Sequence, residues 1–277
     1  MASFLQSYKR QPKIYINLPS KGAFYNTDVI KDLKCTEMPV FGMNTYDEIT
    51  IKTPDALFSG DATANVIKSC VPYVLDPWSI NNFDLDFILI SLRVATYGQY
   101  LTVEVSCPHC KQQSEHQVNL TALMDSFQDK PLYNTITFEG LKIQLRPLTY
   151  RETQNFSKQN FRLQQDLLTL DNYTGAEKDK KAQDIYDKFS ALSFDTIISH
   201  IQDISNENNE TETDLKIIKD FIIHNDLQFY SLLQDSIKKV NNEWEIKPVT
   251  VTCQHEDCKK DFPSTIDFNY SNFFVKK

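Results

Sequence analysis

The chain has 277 residues, of which 41% are hydrophobic and 24% are charged, and its formal net charge is −8 at pH 7. This length is enough for one large or two modest domains with a substantial core. We expect no membrane span, because no apolar stretch approaches about 18 residues, and no secretory signal, because the N-terminus lacks the usual pattern. The acidic balance also argues against a dedicated nucleic-acid-binding protein and against a polybasic membrane anchor.

The first hundred residues predict a mixed α/β region. The helix over 84–96 is expected to be deeply buried, because apolar residues occupy most of its circumference, and Gly98 is its predicted C-terminal cap. The predicted elements in chain order are a strand over 13–18, a hairpin within 37–51, and helices starting at Thr53-Pro54-Asp55, over 61–71 and over 84–96.

From Leu101 the hydrophobic period changes to two, which is typical of strands. The first predicted hairpin pairs 101–105 with 116–120, and the sequence Cys-Pro-His-Cys lies at its tip. The second pairs 136–138 with 141–145 through a Glu139-Gly140 turn.

Residues 148–245 read as a helical insertion. Thr149 and Glu152 have capping-box spacing at the start of its first helix. The segment 205–213 is polar and acidic, and we interpret it as a surface loop. The predicted helices are 149–170, 175–192, 194–204, 214–223 and 226–240, with Asn225 as the N-cap of the last.

Strand patterning returns at Val249 and continues over 264–268, on either side of a second cysteine pair. A similar strand sequence precedes each pair: VEVS precedes the first pair and VTVT precedes the second. Two close cysteine pairs at hairpin tips deliver four thiolates to one point, which is what a tetrahedral zinc ion requires. The predicted metal ligands are Cys107, Cys110, Cys253 and Cys258.

Such a split zinc ribbon would hold a structural zinc ion, since four cysteines leave no open coordination position. Lys111, Lys259 and Lys260 follow the two pairs and would offset the negative charge of a zinc tetrathiolate. Lys111 stands where ribbons usually have glycine, and the second pair has C-x4-C spacing. Three alternatives stay open: an incidental set of reduced thiols, a redox C-x-x-C, and replacement of one cysteine ligand by His109 or His255.

No catalytic residue is predicted. The chain has only 6 glycines and contains no phosphate-binding loop, no G-x-S-x-G and no H-E-x-x-H. We interpret Cys35 and Cys70 as core residues. Asp84, Asp86 and Arg93 are the alternative, a catalytic site without a known motif, but we interpret them as charges on a helix surface. The remaining histidines, at 116, 200 and 224, are expected at the surface or partly buried with hydrogen-bond partners.

Aromatic residues crowd the last sixteen positions, and they either close the core or form a docking segment for a partner. They are Phe262, Phe268, Tyr270, Phe273 and Phe274.

Several motifs, taken in order, resemble the T4-type phage baseplate hub assembly proteins. The resemblance covers 14–120 and 249–274, whereas the helical middle is not diagnostic. Its components are Leu18-Pro19-Ser20-Lys21-Gly22 with Phe24-Tyr25, Asp47-Glu48-Ile49, Pro54-Asp55-Ala56-Leu57, Ile67-Lys68-Ser69-Cys70, Asp76-Pro77, Arg93-Val94-Ala95, Tyr97-Gly98, the CPHC pair, the distal cysteines and Phe273-Phe274.

The resemblance implies a non-enzymatic protein of a contractile-tailed phage that helps to assemble the central baseplate hub, as an assembly factor or as a subunit. Its partners would be phage hub or tail proteins, with no nucleic acid, membrane or small-molecule substrate. It would act in the host cytoplasm during assembly. The resemblance leaves open whether the protein is retained in the baseplate of the virion. The alternative is a zinc-ribbon protein that binds nucleic acid or a transcription complex.

The expected fold is therefore α+β. The predicted division is a mixed core with the split zinc ribbon over 1–147 and 246–277, and the helical insertion over 148–245.

Overall fold

The computed structural model describes residues 10–53, 59–133, 135–264 and 273–274. Within these ranges the chain forms two compact units, the first from Met1–Lys130 with Trp244–Lys277 and the second from Pro131–Glu243. Both contain helices and strands, so the α+β class is confirmed. The predicted helix start at Pro54-Asp55, the strand over 265–268 and the aromatic residues Phe268 and Tyr270 lie outside the described residues.

The N-terminal part of unit 1 combines a short sheet with helices. Strand β1 (Pro12–Ile16) pairs antiparallel with β2 (Met38–Phe41). In helix α3 (Asn82–Tyr97) eleven of the sixteen residues are buried, as its broad apolar face predicts. Gly98 caps α3, its N–H donating to the Val94 carbonyl at 3.0 Å. The elements are β1 (Pro12–Ile16), β2 (Met38–Phe41), α1 (Thr45–Ile51), α2 (Asp61–Cys70), a 3₁₀ turn (Pro77–Ser79) and α3 (Asn82–Tyr97).

Two hairpins complete unit 1. They are β3 (Tyr100–Ser106) with β4 (Gln113–Asn119), and β9 (Val249–Thr252) with β10 (Asp261–Ser264), and the short helix α4 (Leu120–Asp125) follows β4.

The terminal aromatic residues that the structure describes are buried. Phe262, Phe273 and Phe274 are each no more than 3% exposed. The rings of Phe273 and Phe274 meet edge to face, and the Tyr97 hydroxyl donates to the Phe274 carbonyl at 3.0 Å. The core interpretation therefore holds for these three residues.

Unit 2 contains a four-stranded antiparallel sheet whose strands lie in the order β5 (Ile136–Phe138), β6 (Leu141–Leu145), β7 (Ile201–Ser205) and β8 (Thr211–Glu212). The predicted capping box is present, with the Thr149 side chain accepting from the Glu152 N–H. The elements are β5 (Ile136–Phe138), β6 (Leu141–Leu145), α5 (Tyr150–Leu168), a 3₁₀ turn (Thr169–Asn172), α6 (Gly175–Ser199), β7 (Ile201–Ser205), β8 (Thr211–Glu212), α7 (Leu215–Ile223) and α8 (Leu227–Trp244).

Four local predictions are wrong. The hairpin predicted within 37–51 is β2 followed by α1, because the Asn44 side chain and Asp47 form a capping box that starts a helix. The helices predicted over 175–192 and 194–204 are one helix, α6, followed by β7, which pairs with β6. Part of the predicted loop 205–213 is strand β8. Asp226, one residue after the predicted cap, accepts from the N–H of Gln228 in the first turn of α8.

In the described part of the chain, every helix is too short or too polar to cross a membrane.

Candidate metal centre

The first knuckle is the turn that joins β3 to β4. The hairpin is in register from Tyr100 opposite Asn119 to Ser106 opposite Gln113, which places Cys107 and Cys110 at its tip. The Cys107 N–H donates to the Gln112 carbonyl at 2.9 Å, and the Lys111 N–H donates to the Cys107 carbonyl at 2.9 Å. Lys111 adopts a left-handed conformation, with φ of 62°. This conformation explains why glycine is usual at the position.

The second knuckle repeats this turn despite its longer spacing. The Cys253 N–H donates to the Lys260 carbonyl at 3.0 Å. This hydrogen bond closes the second loop in the same way as the bond from Cys107 to Gln112 closes the first loop. Lys259 directly follows the second cysteine and also has a left-handed φ, of 44°. The C-x4-C pair thus ends in the same geometry as the C-x2-C pair.

The four cysteine side chains converge on one point, and we call them the four-cysteine cluster. Cys107 Sγ lies 3.8 Å from Cys258 Sγ, and Cys110 Sγ lies 3.6 Å from Cys253 Sγ. All four sulfurs lie within 4.8 Å of one another. Four thiolates at about 2.3 Å around a tetrahedral ion would be about 3.8 Å apart, so the arrangement fits a metal ion. A disulfide needs about 2.05 Å, and all four are free thiols.

The cluster lies in a small apolar core between the two hairpins. Cys107 and Cys253 are buried together with Val251 and Phe262. Cys110 and Cys258 are half-buried. The Gln254 side chain in the second knuckle also donates to the Glu115 carbonyl in β4 at 2.7 Å, which adds a hydrogen bond between the hairpins.

The local electrostatics favour a bound cation. Burial raises the pKa of the Cys107 thiol, but the N–H groups of Cys110 and His109 outweigh it and lower that pKa to about 7. The His255 N–H lowers the pKa of Cys253, whereas burial and the neighbouring sulfurs raise it to about 12. The Cys107 thiolate therefore forms readily, but its negative charge opposes ionisation of the neighbouring thiols. A divalent cation bound among the sulfurs relieves that repulsion.

The histidines are not part of the cluster. His109 and His255 are exposed, and the metal-compatible group among the described residues consists of the four cysteines. His200 is only 5% exposed, and its Nδ1–H donates to the Arg146 carbonyl at 2.9 Å. Burial lowers the pKa of His200 to about 4, so its imidazole is neutral near pH 7.

A second polar centre in unit 1 corrects the interpretation of Asp84 as a surface charge. Asp84 is fully buried, and its carboxylate accepts hydrogen bonds from the Ser20 N–H at 3.0 Å, the Ser20 hydroxyl and the Tyr25 hydroxyl at 2.7 Å. Burial raises the pKa of Asp84 while these donors oppose that shift. This network anchors the loop that contains Leu18-Pro19-Ser20-Lys21-Gly22 on α3.

Arg93 is also buried rather than on a surface. It is 5% exposed and its guanidinium lies over the Tyr97 ring, 4.5 Å from the centroid. Cys35 and Cys70 are buried, as predicted for core residues.

One further charged contact was not anticipated. Arg10 forms an ion pair of 3.2 Å with Asp47, which is 4% exposed, and its side chain also donates to the Gly42 carbonyl at 2.9 Å. The residues around Arg10 in the sequence do not indicate that its partner is Asp47, 37 positions further along the chain.

The family model described as "T4 bacteriophage base plate protein" matches residues 12–275. This match spans both cysteine pairs and nearly the whole chain, and the chain therefore belongs to this family. The predicted resemblance is confirmed at this level. No curated protein and no solved structure gives a significant match.

Proposed function

We propose that this protein acts in assembly of the central baseplate hub of a contractile-tailed phage, as an assembly factor or as a hub subunit, through contacts with other tail proteins. The family match over 12–275 carries this proposal, because a baseplate protein works in association with other baseplate or tail proteins. We propose the host cytoplasm as the place of assembly and the tail baseplate as the location of any retained subunit.

In this proposal the chain is not an enzyme. Among the described residues, the cluster suited to a metal ion consists of four thiols, and four thiolates would fill a tetrahedral coordination sphere. A zinc ion bound there by Cys107, Cys110, Cys253 and Cys258 would be structural. It would join the two hairpins into one ribbon and so hold β9 and β10 against β3 and β4 within unit 1.

The test is an affinity purification of the tagged full chain from phage-infected cells, followed by mass spectrometry of the bound proteins and of purified tails. We expect hub or tail-tube proteins to be recovered with the chain. Presence in purified tails would identify a subunit, and presence only with assembly intermediates would identify an assembly factor.

Recovery of only RNA polymerase or nucleic acid would contradict the proposal and support the nucleic-acid-binding alternative. The net charge of −8 argues against that outcome, because it disfavours contact with phosphates. A Cys253→Ser variant tests the role of the zinc in the same experiment, with Cys70→Ala as the matched control that removes a buried cysteine outside the cluster.

A further inference from the structure

A groove of about 360 Å³ opens in unit 2 between the edge of the sheet and α7. Strand β8 is the last strand of the sheet, so the groove lies beside a sheet edge. Ile204 and Ile218 are buried at its base, and Leu141, Ile217 and Phe221 also line it. Five of its ten lining residues are apolar, and apolar atoms contribute most of the exposed lining surface.

Helix α7 has more apolar surface than unit 2 covers. Ile218 and Ile222 are no more than 4% exposed, whereas Ile217 is 54% and Phe221 is 36% exposed. Ile217 and Phe221 are four positions apart, so they are neighbours on one flank of the helix, and both line the groove. This flank can bury further apolar area.

The rim of the groove is acidic. The stretch 203–214 contains five Asp or Glu residues and no Lys, Arg or His. The Glu210 carboxylate accepts a hydrogen bond from the Asn206 side-chain amide at 2.6 Å, and the Glu212 carboxylate accepts one from the Thr213 N–H at 2.8 Å. Both donors are neutral, so these hydrogen bonds leave the negative charges uncompensated. In the part of the chain that the structure describes, neither glutamate forms a salt bridge.

Lys142, Lys216 and Lys219 are close to the groove along the chain, and among the described residues none of them forms a salt bridge with Glu210 or Glu212. Lys219 forms its ion pair with Asp195 in α6. Lys142 follows Leu141 in β6, and successive side chains of a strand point to opposite faces, so it lies on the face away from the groove.

We propose that this groove binds a segment of a partner protein that has an apolar anchor side chain flanked by lysine or arginine. The anchor would cover Ile217 and Phe221, and the flanking cations would pair with Glu210 and Glu212. Apolar burial supplies affinity, while the opposite charges supply specificity and a fast association rate. This inference deepens the proposed function by naming a partner chemistry, and it rests on that function for the existence of a protein partner.

The test is fluorescence anisotropy of the full chain with three designed peptides. The first has a leucine anchor flanked by lysines, the second replaces the lysines by glutamates, and the third replaces the anchor by serine. We expect only the first peptide to bind, with an affinity that falls as salt is raised.

Two isoleucines of α7 provide a matched pair of variants. Ile217 lines the groove and Ile223 does not, yet they are 54% and 56% exposed. We expect Ile217→Ser to weaken binding of the first peptide about tenfold, which is about 1.4 kcal/mol. Ile223→Ser should leave the affinity unchanged, and the double variant Glu210→Gln with Glu212→Gln should abolish most of the salt dependence.

Equal binding of all three peptides, no binding of the first, or equal losses for the two isoleucine variants would overturn the inference. The proposed function is tested separately, by the partners recovered from infected cells. If hub proteins are recovered equally well with Ile217→Ser, the groove proposal fails while the function stands. If the first peptide binds in the groove but no tail protein is recovered, the function fails while the groove chemistry stands.

Discussion

In the proposed zinc site, replacing Cys253 by serine should remove the ion and loosen unit 1. Cys253 Sγ lies 3.6 Å from Cys110 Sγ and is almost completely buried, so no water-exposed group can take its place without rearrangement. A serine hydroxyl does not ionise near pH 7, and the site would keep three thiolates. At free zinc about 1,000-fold above Kd, binding to the folded state alone contributes about 4 kcal/mol. For a domain of about 150–250 residues that loss lowers Tm by about 8–16 °C.

The assay combines zinc content by mass spectrometry of metals with thermal unfolding by circular dichroism. The wild-type chain and a Cys70→Ala control should each contain one zinc ion per chain, because Cys70 lies outside the four-cysteine cluster. A strong chelator should lower the Tm of both proteins and should leave Cys253→Ser unchanged. The control separates the loss of a metal ligand from the loss of a buried thiol.

The reasoning is refuted if Cys253→Ser retains one zinc ion and an unchanged Tm. It is equally refuted if the wild-type chain, purified without chelator, contains no zinc and its Tm does not rise when zinc is added. In either case the convergence of the four sulfurs would be a packing feature of reduced thiols.

Three further predictions concern stability. In urea unfolding, Gly22→Ala should destabilise unit 1 much more than Gly98→Ala. Both glycines have a positive φ, but only a Cβ at position 22 would lie 2.4 Å from a backbone oxygen. Equal effects of the two substitutions would contradict this. Asp84→Ala should lower the unfolding free energy by about 3–5 kcal/mol, because it leaves buried donors without an acceptor, and a change below about 1 kcal/mol would count against the network. Burial lowers the pKa of His200 to about 4 in the folded state, whereas it is about 6.5 in the unfolded state. Between these pH values the unfolded state binds a proton that the folded state does not. The free energy of unfolding therefore falls by about 3 kcal/mol as the pH drops from about 6.5 to 4. His200→Asn keeps an N–H donor without a titrating group and should flatten that dependence; an unchanged pH profile of the variant would show that other groups cause it.

Elements specified by neighbouring residues could be predicted from the sequence. The capping box of Thr149 and Glu152 and the Gly98 cap each depend on a few consecutive positions. The two cysteine pairs could be associated because their strand contexts match. Their turn geometry could not be predicted, because it depends on left-handed φ angles at Lys111 and Lys259, which lysine seldom adopts.

Features that depend on distant partners could not be predicted. The sequence of β7 places Ile201 and Ile204 three positions apart, a spacing typical of a helix. Pairing with β6, whose register shifts between Gln144 and Leu145, makes the segment a strand. Asp84 looked like a surface charge because its donors on Ser20 lie 64 positions earlier. The division into a core over 1–147 and 246–277 with a helical insertion over 148–245 stays a prediction.

The distance between the two cysteine pairs along the chain has a consequence for synthesis. Cys110 and Cys253 are 143 positions apart, so the β3–β4 hairpin is made well before its partner hairpin. At about 5–20 residues per second, the ribosome needs about 7–30 s to reach the second pair. During that interval the first two thiols are exposed in the nascent chain, and the β3–β4 hairpin has no second hairpin to pack against. Unit 1 is therefore completed only late in translation, when the second cysteine pair becomes available to meet the first.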